Sequence, residues 1–428
     1  MLIGSFMSTL FGVSFLTLII LPTLGQFRWT NYVSIDLWSF SMMILTIFTL
    51  VGVLLMRTEN LNSRWSKRYK FAFIRITFLN LIFFCCERLL IFYIRFELRT
   101  FMILLIILGF GYQPERLFAG KMLALYSLVL AIPFIINVLF ILERYQSLLN
   151  TSLILFKTDL LPTINLIIEI TLIMPFIVKF PMFVFHVWLP KAHVEASVTG
   201  SIVLASVLLK LGGYGIFRVV ILTPLTSDII LLFGWLRLFG GVIIRILACI
   251  FQDMKLVIAY SSVGHISVAI RSLIINSRVG NEGSLIMLIR HGLVSSSMFM
   301  LSGVLFIITN SRLFSYNRGI FSIIPGLYFI FFTLFSINIG TPPSANFFTE
   351  IFIFIGLFSK RLLVVFFSVF ILFFSVVFNI VLFVNLFTTS QSAKKKCFKG
   401  LSENIIMSNI IHLIFASSRL IYFVKIFK

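Results

Sequence analysis

Charged residues are scarce in this chain of 428 residues: Asp, Glu, Lys and Arg together make up 11%. Soluble domains carry about 25%, so a polar coat around a soluble core is excluded. Cysteine is nearly absent as well. Cys85, Cys86, Cys249 and Cys397 form no C-x-x-C pair and have no histidine at metal-ligand spacing, which leaves neither a disulfide framework nor a zinc site to be read. The chain lacks long polar stretches too. The longest lie around Arg57 to Lys70 and Ser390 to Lys399, so no soluble domain fits. The period-2 alternation of barrel strands is also missing. No basic n-region or Arg-rich presequence follows Met1, so import is not expected, and 52 Phe with abundant Ile and Lys suit an AT-rich organellar gene.

What is present is apolar: 60% of residues are hydrophobic and the mean hydropathy is +1.11. The bilayer is then the main solvent. Lipid cannot satisfy backbone amides, so a spanning chain without barrel patterning must be an all-α bundle. A spanning helix needs about 20 apolar residues. This rule predicts a polytopic transmembrane bundle of about 13 helices, centred near Ser14, Ile44, Leu79, Leu104, Leu130, Ile173, Leu208, Phe233, Val263, Ile289, Ile339, Phe370 and Phe415. Glu87 and Arg88 interrupt the pattern between the third and fourth. The net charge of +21 does not point to nucleic acid, because the basic residues form no aromatic-interleaved stripe. They gather after even-numbered helices, as at Arg64, Lys67, Arg116, Lys121, Arg312, Arg318 and Lys394 to Lys396, which places the N-terminus on the matrix or cytoplasmic side.

Two helices read as broken. Pro175 and Pro181 bracket Lys179 in the sixth, and Pro342 and Pro343 interrupt the eleventh before Glu350. Proline in a membrane helix frees backbone groups that only protein or a wet cavity can satisfy. Taking about 71–220 and about 224–388 as two five-helix sets, each break falls on the fourth member, the pattern of two inverted repeats within one membrane domain.

A charge at the centre of a membrane helix costs about 2.5–3.5 kcal/mol. Glu97, Lys179, Lys210, His265, His291 and Glu350 therefore need partners, water or a function. Burial disfavours the ammonium of Lys179 and a carboxylate such as Glu97 favours it, which together make a proton switch; a static ion pair joining two helices is the alternative. Lys210 precedes Gly212, Gly213 and Gly215, which allow close helix approach or local unwinding. It reads equally as a lysine that snorkels from a helix end. The histidines suit proton relay or structural hydrogen bonding. Glu350 reads as a functional carboxylate or a solvated one near a helix end. His193-Val-Glu195 has the H-x-E spacing of zinc deaminases, but no P-C-x-x-C follows. Gly-Gly-Tyr-Gly lies in an apolar helix and is no nucleotide loop. No site for NADH, flavin or an iron–sulfur cluster is legible.

The stretch 179–218, from Lys-Phe-Pro-Met-Phe-Val-Phe-His-Val-Trp-Leu-Pro-Lys-Ala-His-Val-Glu-Ala to Leu-Leu-Lys-Leu-Gly-Gly-Tyr-Gly-Ile-Phe-Arg, resembles the signature of the NADH dehydrogenase subunit 4 family of mitochondrial respiratory complex I. So do Gly109 to Leu117, Asp253 to His265, His291-Gly-Leu-Val-Ser-Ser and Pro342-Pro-Ser-Ala-Asn-Phe, and the likeness covers roughly residues 90–390. The resemblance implies an antiporter-like, proton-translocating subunit of the mitochondrial inner membrane. Its partners are other complex I subunits, above all neighbouring antiporter-like ones. NADH, FMN, iron–sulfur clusters and ubiquinone are then used elsewhere in the complex, with no cofactor or metal in this chain. It also implies roles: Glu97 as partner of Lys179, Lys210 as the linking lysine, Glu350 as the exit-side acid, and His186, His265 and His291 as relay residues. The family usually has fourteen helices and proline where Ser197 stands, so a relaxed turn is expected there. Arg95 and Arg99 flank Glu97, where the family is neutral; two positions away they project to other faces of the helix, yet their charges can still compete with Lys179. A cation/proton antiporter subunit is the alternative, but such relatives carry Leu-Pro-Asp-Ala-His where residues 189–193 read Leu-Pro-Lys-Ala-His. A structural membrane piece that has lost pumping is the other.

Overall fold

A computed structural model describes residues 27–30, 33–56, 63–111, 113–145, 162–222, 227–320, 325–342, 344–358 and 362–387. A small antiparallel hairpin comes first, β1 (Phe27–Thr30) on β2 (Val33–Ile35), with Phe27 opposite Ile35. Helices follow: α1 (Leu37–Leu55), α2 (Ser63–Phe84), α3 (Leu89–Phe110), α4 (Arg116–Tyr145) and α5 (Pro162–Lys179). After a 3₁₀ turn at Phe185–Val187 come the short α6 (Trp188–Glu195) and α7 (Val198–Val203), a π-helical turn at Leu204–Leu208, and α8 (Leu209–Leu222). The rest is α9 (Ser227–Ile250), α10 (Met254–Ile275), α11 (Arg278–Thr309), a single turn α12 (Phe314–Asn317), α13 (Pro325–Ile339), α14 (Ala345–Phe358) and α15 (Leu362–Phe387).

The helical bundle is the one expected, and eleven of the thirteen expected centres fall on these elements. Those near Ser14 and Phe415 lie outside the described residues, as does Pro343. The break between the third and fourth segments falls at Cys85–Arg88, where two charges end the apolar run. The helix α2 starts at Ser63, within the polar stretch.

Seven helices among the described residues are long and apolar enough to cross a membrane. Two of them, Val198–Ile221 and Met254–Ile275, are 89% buried and form the centre. Arg116–Glu143 is only 22% buried, and its Leu128, Val129 and Ile132 are exposed. The core is the apolar centre of the bundle, with Phe83, Phe92, Phe96, Phe134 and Phe176 interleaved as an aromatic cluster. Asp36, at the start of α1, pairs with Arg218 of α8 (2.6 Å), and Trp38 stacks on Phe217 at 3.7 Å. These contacts tie α1 to the central helix.

Both predicted breaks exist, and each is closed by a side chain. α5 ends at Lys179, and the indole N–H of Trp188 donates to the freed carbonyl of Val178 (2.9 Å). α13 ends before Gly340, which adopts φ +84°. There the Asn346 amide donates to the carbonyl of Ile337 (2.8 Å). Helix ends leave four carbonyls without helical partners, and lipid offers none. The side chains that close the breaks are therefore what make irregular backbone tolerable at this depth.

Candidate functional site

Lys179 is the last residue of α5, so its side chain enters the bundle where the helix stops. Its Nζ donates to Glu97 Oε1 of α3 at 2.7 Å and to Thr100 Oγ1 at 3.3 Å. The ammonium also lies 4.1 Å from the centre of the Phe96 ring, a cation–π contact. Thr100 in turn donates to the carbonyl (2.7 Å) and to Oε2 (3.1 Å) of Glu97. Three residues on one face of α3 thus hold one lysine.

Among the described residues Glu97 is paired with Lys179 and not with either arginine, although the charge of Arg99 acts on Lys179. Arg99 donates to Asn80 Oδ1 (2.9 Å) and to the carbonyl of Arg95, and lies 3.5 Å over Phe83. Arg95 donates to the carbonyl of Ile82 and to Cys86 Sγ. Both guanidinium groups lean away from Glu97, because positions two apart on a helix project to different faces. Ser197 does not relax its turn either. Its Oγ accepts from the Gly200 N–H (3.2 Å) and meets the Tyr69 hydroxyl (3.0 Å), a side-chain N-cap on α7.

Lys210 is 1% exposed, which rules out snorkelling. Its Nζ donates to the carbonyl of Ala205, inside the π-helical turn, and meets His291 Nδ1 at 3.2 Å. The wide turn presents that carbonyl to the lysine five residues on. The glycines after Lys210 serve close approach and do not unwind the helix. A Cβ at Gly212 would lie 2.9 Å from the Phe176 carbonyl oxygen and from the Phe180 nitrogen, so only glycine lets α8 touch the end of α5. A narrow cavity beside Lys179 is lined by Thr100, Tyr126, Ser127, Lys179 and Leu208.

From Lys210 the line continues into the second half. The rings of His291 (α11) and His265 (α10) lie 5.5 Å apart, and His265 Nδ1 is 3.9 Å from Glu350 Oε1. Glu350 sits in α14, 7% exposed, against the broken backbone. A Cβ at Gly340 would lie 3.0 Å from its Oε2. Arg245 of α9 is the nearest opposing charge, and none of its three guanidinium nitrogens has a hydrogen-bond partner.

The structure therefore joins Glu97 to Lys179, and Lys210 to His291, His265 and Glu350. His186 stands apart, with Phe183 and Tyr260 as its ring neighbours. Sequence reasoning passed over His193, Lys255, Arg237 and Arg245, all buried. His193 was in view within the motif at 189–195, and Lys255 within Asp-Met-Lys. Among the described residues, no three His, Cys, Asp or Glu side chains gather as metal ligands. Arranged this way, Lys179 is placed to exchange a proton with Glu97, and Lys210 with His291.

Comparison with known proteins agrees with this geometry. Residues 86–379 match the family described as NADH:quinone oxidoreductase/Mrp antiporter, transmembrane. The chain is 35% identical over 383 residues to NADH-ubiquinone oxidoreductase chain 4 of Locusta migratoria, covering 88% of this chain and 84% of that one. It is 36% identical over 323 residues to that of Artemia franciscana, covering 75% and 81%. In fold it is similar to a chain of respiratory complex I from Thermus thermophilus with bound NADH (TM-score 0.82, 22% identity, 95% and 89% covered). A similar likeness holds to the membrane-bound sulfane sulfur reductase, an archaeal respiratory complex (TM-score 0.83, 14% identity, 94% and 84% covered). On these matches the chain belongs to the NADH:quinone oxidoreductase/Mrp antiporter transmembrane family and, within it, to the chain 4 group of complex I membrane subunits.

Proposed function

We propose that this chain moves protons through the membrane arm of complex I along Glu97, Lys179, Lys210, His291, His265 and Glu350, driven by redox chemistry on other subunits. The observation that carries this is the 2.7 Å contact of Lys179 with Glu97 at the point where α5 breaks. An ammonium held by a carboxylate keeps its proton; an ammonium left alone in an apolar site gives it up. Opening and closing the Glu97 contact therefore loads and unloads Lys179. The cavity beside Lys179 and Leu208 is about the size of one water, and we assign to it the start of the step from Lys179 towards Lys210. His291 and His265 then link Lys210 to Glu350, next to backbone that is already irregular.

Moving one charge against about 100 mV costs roughly 2.3 kcal/mol. Making or breaking a charge-assisted hydrogen bond is worth about 1.5–3 kcal/mol. The two are of the same size, so one contact suffices to bias one transfer. The paired breaks fit two inverted repeats, about 71–220 and 224–388. NADH, FMN, iron–sulfur clusters and ubiquinone are assigned to partner subunits, and neighbouring antiporter-like subunits flank this one. We place the chain in the mitochondrial inner membrane with its N-terminus on the matrix side.

Replacing Lys179 by Ala in the assembled complex tests the reading. A lowered proton-to-electron ratio is expected. An unchanged ratio means that the pair is a static brace between α3 and α5.

A further inference from the structure

Lys191 reaches from the short helix α6 to α4, and its Nζ lies 4.4 Å from the centre of the Phe118 ring, a cation–π contact. Phe118 stands in the first turn of α4 and is 53% exposed. Lys121, exposed as well, comes three residues later, and residues three apart are neighbours on a helix surface. Two ammonium groups from two elements therefore flank one half-exposed ring. Among the described residues neither lysine belongs to an ion pair, and Glu115, the acid closest to Lys121 along the chain, pairs with neither.

Past these cations the same face of α4 turns apolar. Leu117, Lys121, Leu125, Leu128 and Ile132 recur at the three- and four-residue spacing of a single helix stripe. Leu125, Leu128 and Ile132 are 58%, 61% and 62% exposed. At 1.5 Å per residue the stripe extends roughly 16 Å beyond Lys121. Of the seven long apolar helices, α4 is also the least buried. A lysine among apolar side chains is costly unless its head finds water or an anion. The occupant that fits this face carries negative charge at the Lys121–Lys191 end and an alkyl body beyond it. An acidic protein segment would match only the first part.

We propose that Lys121 and Lys191 bind the phosphate of an anionic phospholipid whose acyl chain lies along α4 over Leu125, Leu128 and Ile132. The inference rests on the membrane placement of the bundle and is independent of the proton-line reading. The lipid touches an element that matters for the first break, because α6 also carries Trp188, whose N–H holds the Val178 carbonyl next to Lys179.

Photo-crosslinking of the assembled complex tests the site. The complex is placed in phosphatidylcholine nanodiscs doped with phosphatidylglycerol, one of the two lipids carrying a diazirine on its acyl chain, and adducts are located by mass spectrometry of peptides. The exposed face of α15 at Phe366, Phe370 and Phe373 is the internal reference. Relative to α15, phosphatidylglycerol is expected to label residues 125–132 more strongly than phosphatidylcholine does. A basic residue near an anionic headgroup contributes about fivefold to binding, so Lys121→Gln and Lys191→Gln are each expected to lower that labelling about fivefold, and together roughly 25-fold. Equal labelling by the two lipids overturns the site, and so does labelling that the double variant leaves unchanged. Absence of adducts on α4 overturns it too, and means that a neighbouring subunit covers this face. Should the double variant not assemble, the comparison of the two lipids on the wild-type complex decides alone.

Discussion

Lys210 and His291 meet at 3.2 Å, Nζ to Nδ1, across the gap between α8 and α11. A lysine facing an imidazole, with no carboxylate bonded to it, is a junction at which a proton can rest on either partner. Lys210→Met keeps length and apolar packing but removes the junction. The complex is expected to assemble, with redox-driven proton uptake reduced by about tenfold or more. Vesicle assays check this, with NADH oxidation by an artificial acceptor as the control.

Thr100 ties Lys179 and Glu97 together through one hydroxyl. Thr100→Val retains shape and loses those bonds. A neutral hydrogen bond is worth about 0.5–1.5 kcal/mol, so a fall in coupled turnover of roughly two- to tenfold is expected. The loss should be milder than for Lys179→Ala, and turnover of the two variants side by side shows whether it is.

Trp188→Phe leaves the Val178 carbonyl without its donor while keeping an aromatic ring in the break. An unsatisfied buried carbonyl costs about 1–3 kcal/mol. The thermal midpoint of the assembled complex is expected to fall. A midpoint equal to the wild type would show that the break is closed in another way.

Arg237 and Arg245 are 1% and 0% exposed, and among the described residues neither places a guanidinium nitrogen on a carboxylate, although Arg245 lies in the field of Glu350. Among the contacts made by Arg237 is one to Met182 Sδ at 3.3 Å, and Arg245 lies 5.7 Å over Phe378. A buried cation so poorly compensated lowers stability. Arg237→Ser is expected to raise the thermal midpoint, corresponding to about 1–3 kcal/mol. A lower midpoint would reveal a partner that holds the charge in the assembled complex.

The fold and much of the site were legible in the sequence because a charge or a proline stands out against apolar residues. Glu97, Lys179, Lys210 and Glu350 could be found without a structure, and so could both breaks. What could not be read depends on neighbours brought together by folding. The π-helical turn at Leu204–Leu208 has no Gly or Pro to announce it. Its role appears only when Lys210 reaches back to Ala205. Arg95 and Arg99 looked like rivals for Glu97 until Asn80 and the Ile82 carbonyl were seen to take them. His193 drew notice only for a zinc motif it does not complete. Its stacking on Phe299 is a property of the packed bundle.

A double-mutant cycle on Glu97 and Lys179 tests the central claim most directly, read as redox-driven proton uptake by the assembled complex. Glu97→Gln, Lys179→Met and the double variant are compared with the wild type. Residues that act as one unit give losses that do not add. The account predicts that each single variant loses about tenfold or more and that the double variant loses no more than the worse single. Losses that multiply, or single variants that still take up protons at the wild-type rate, would contradict it.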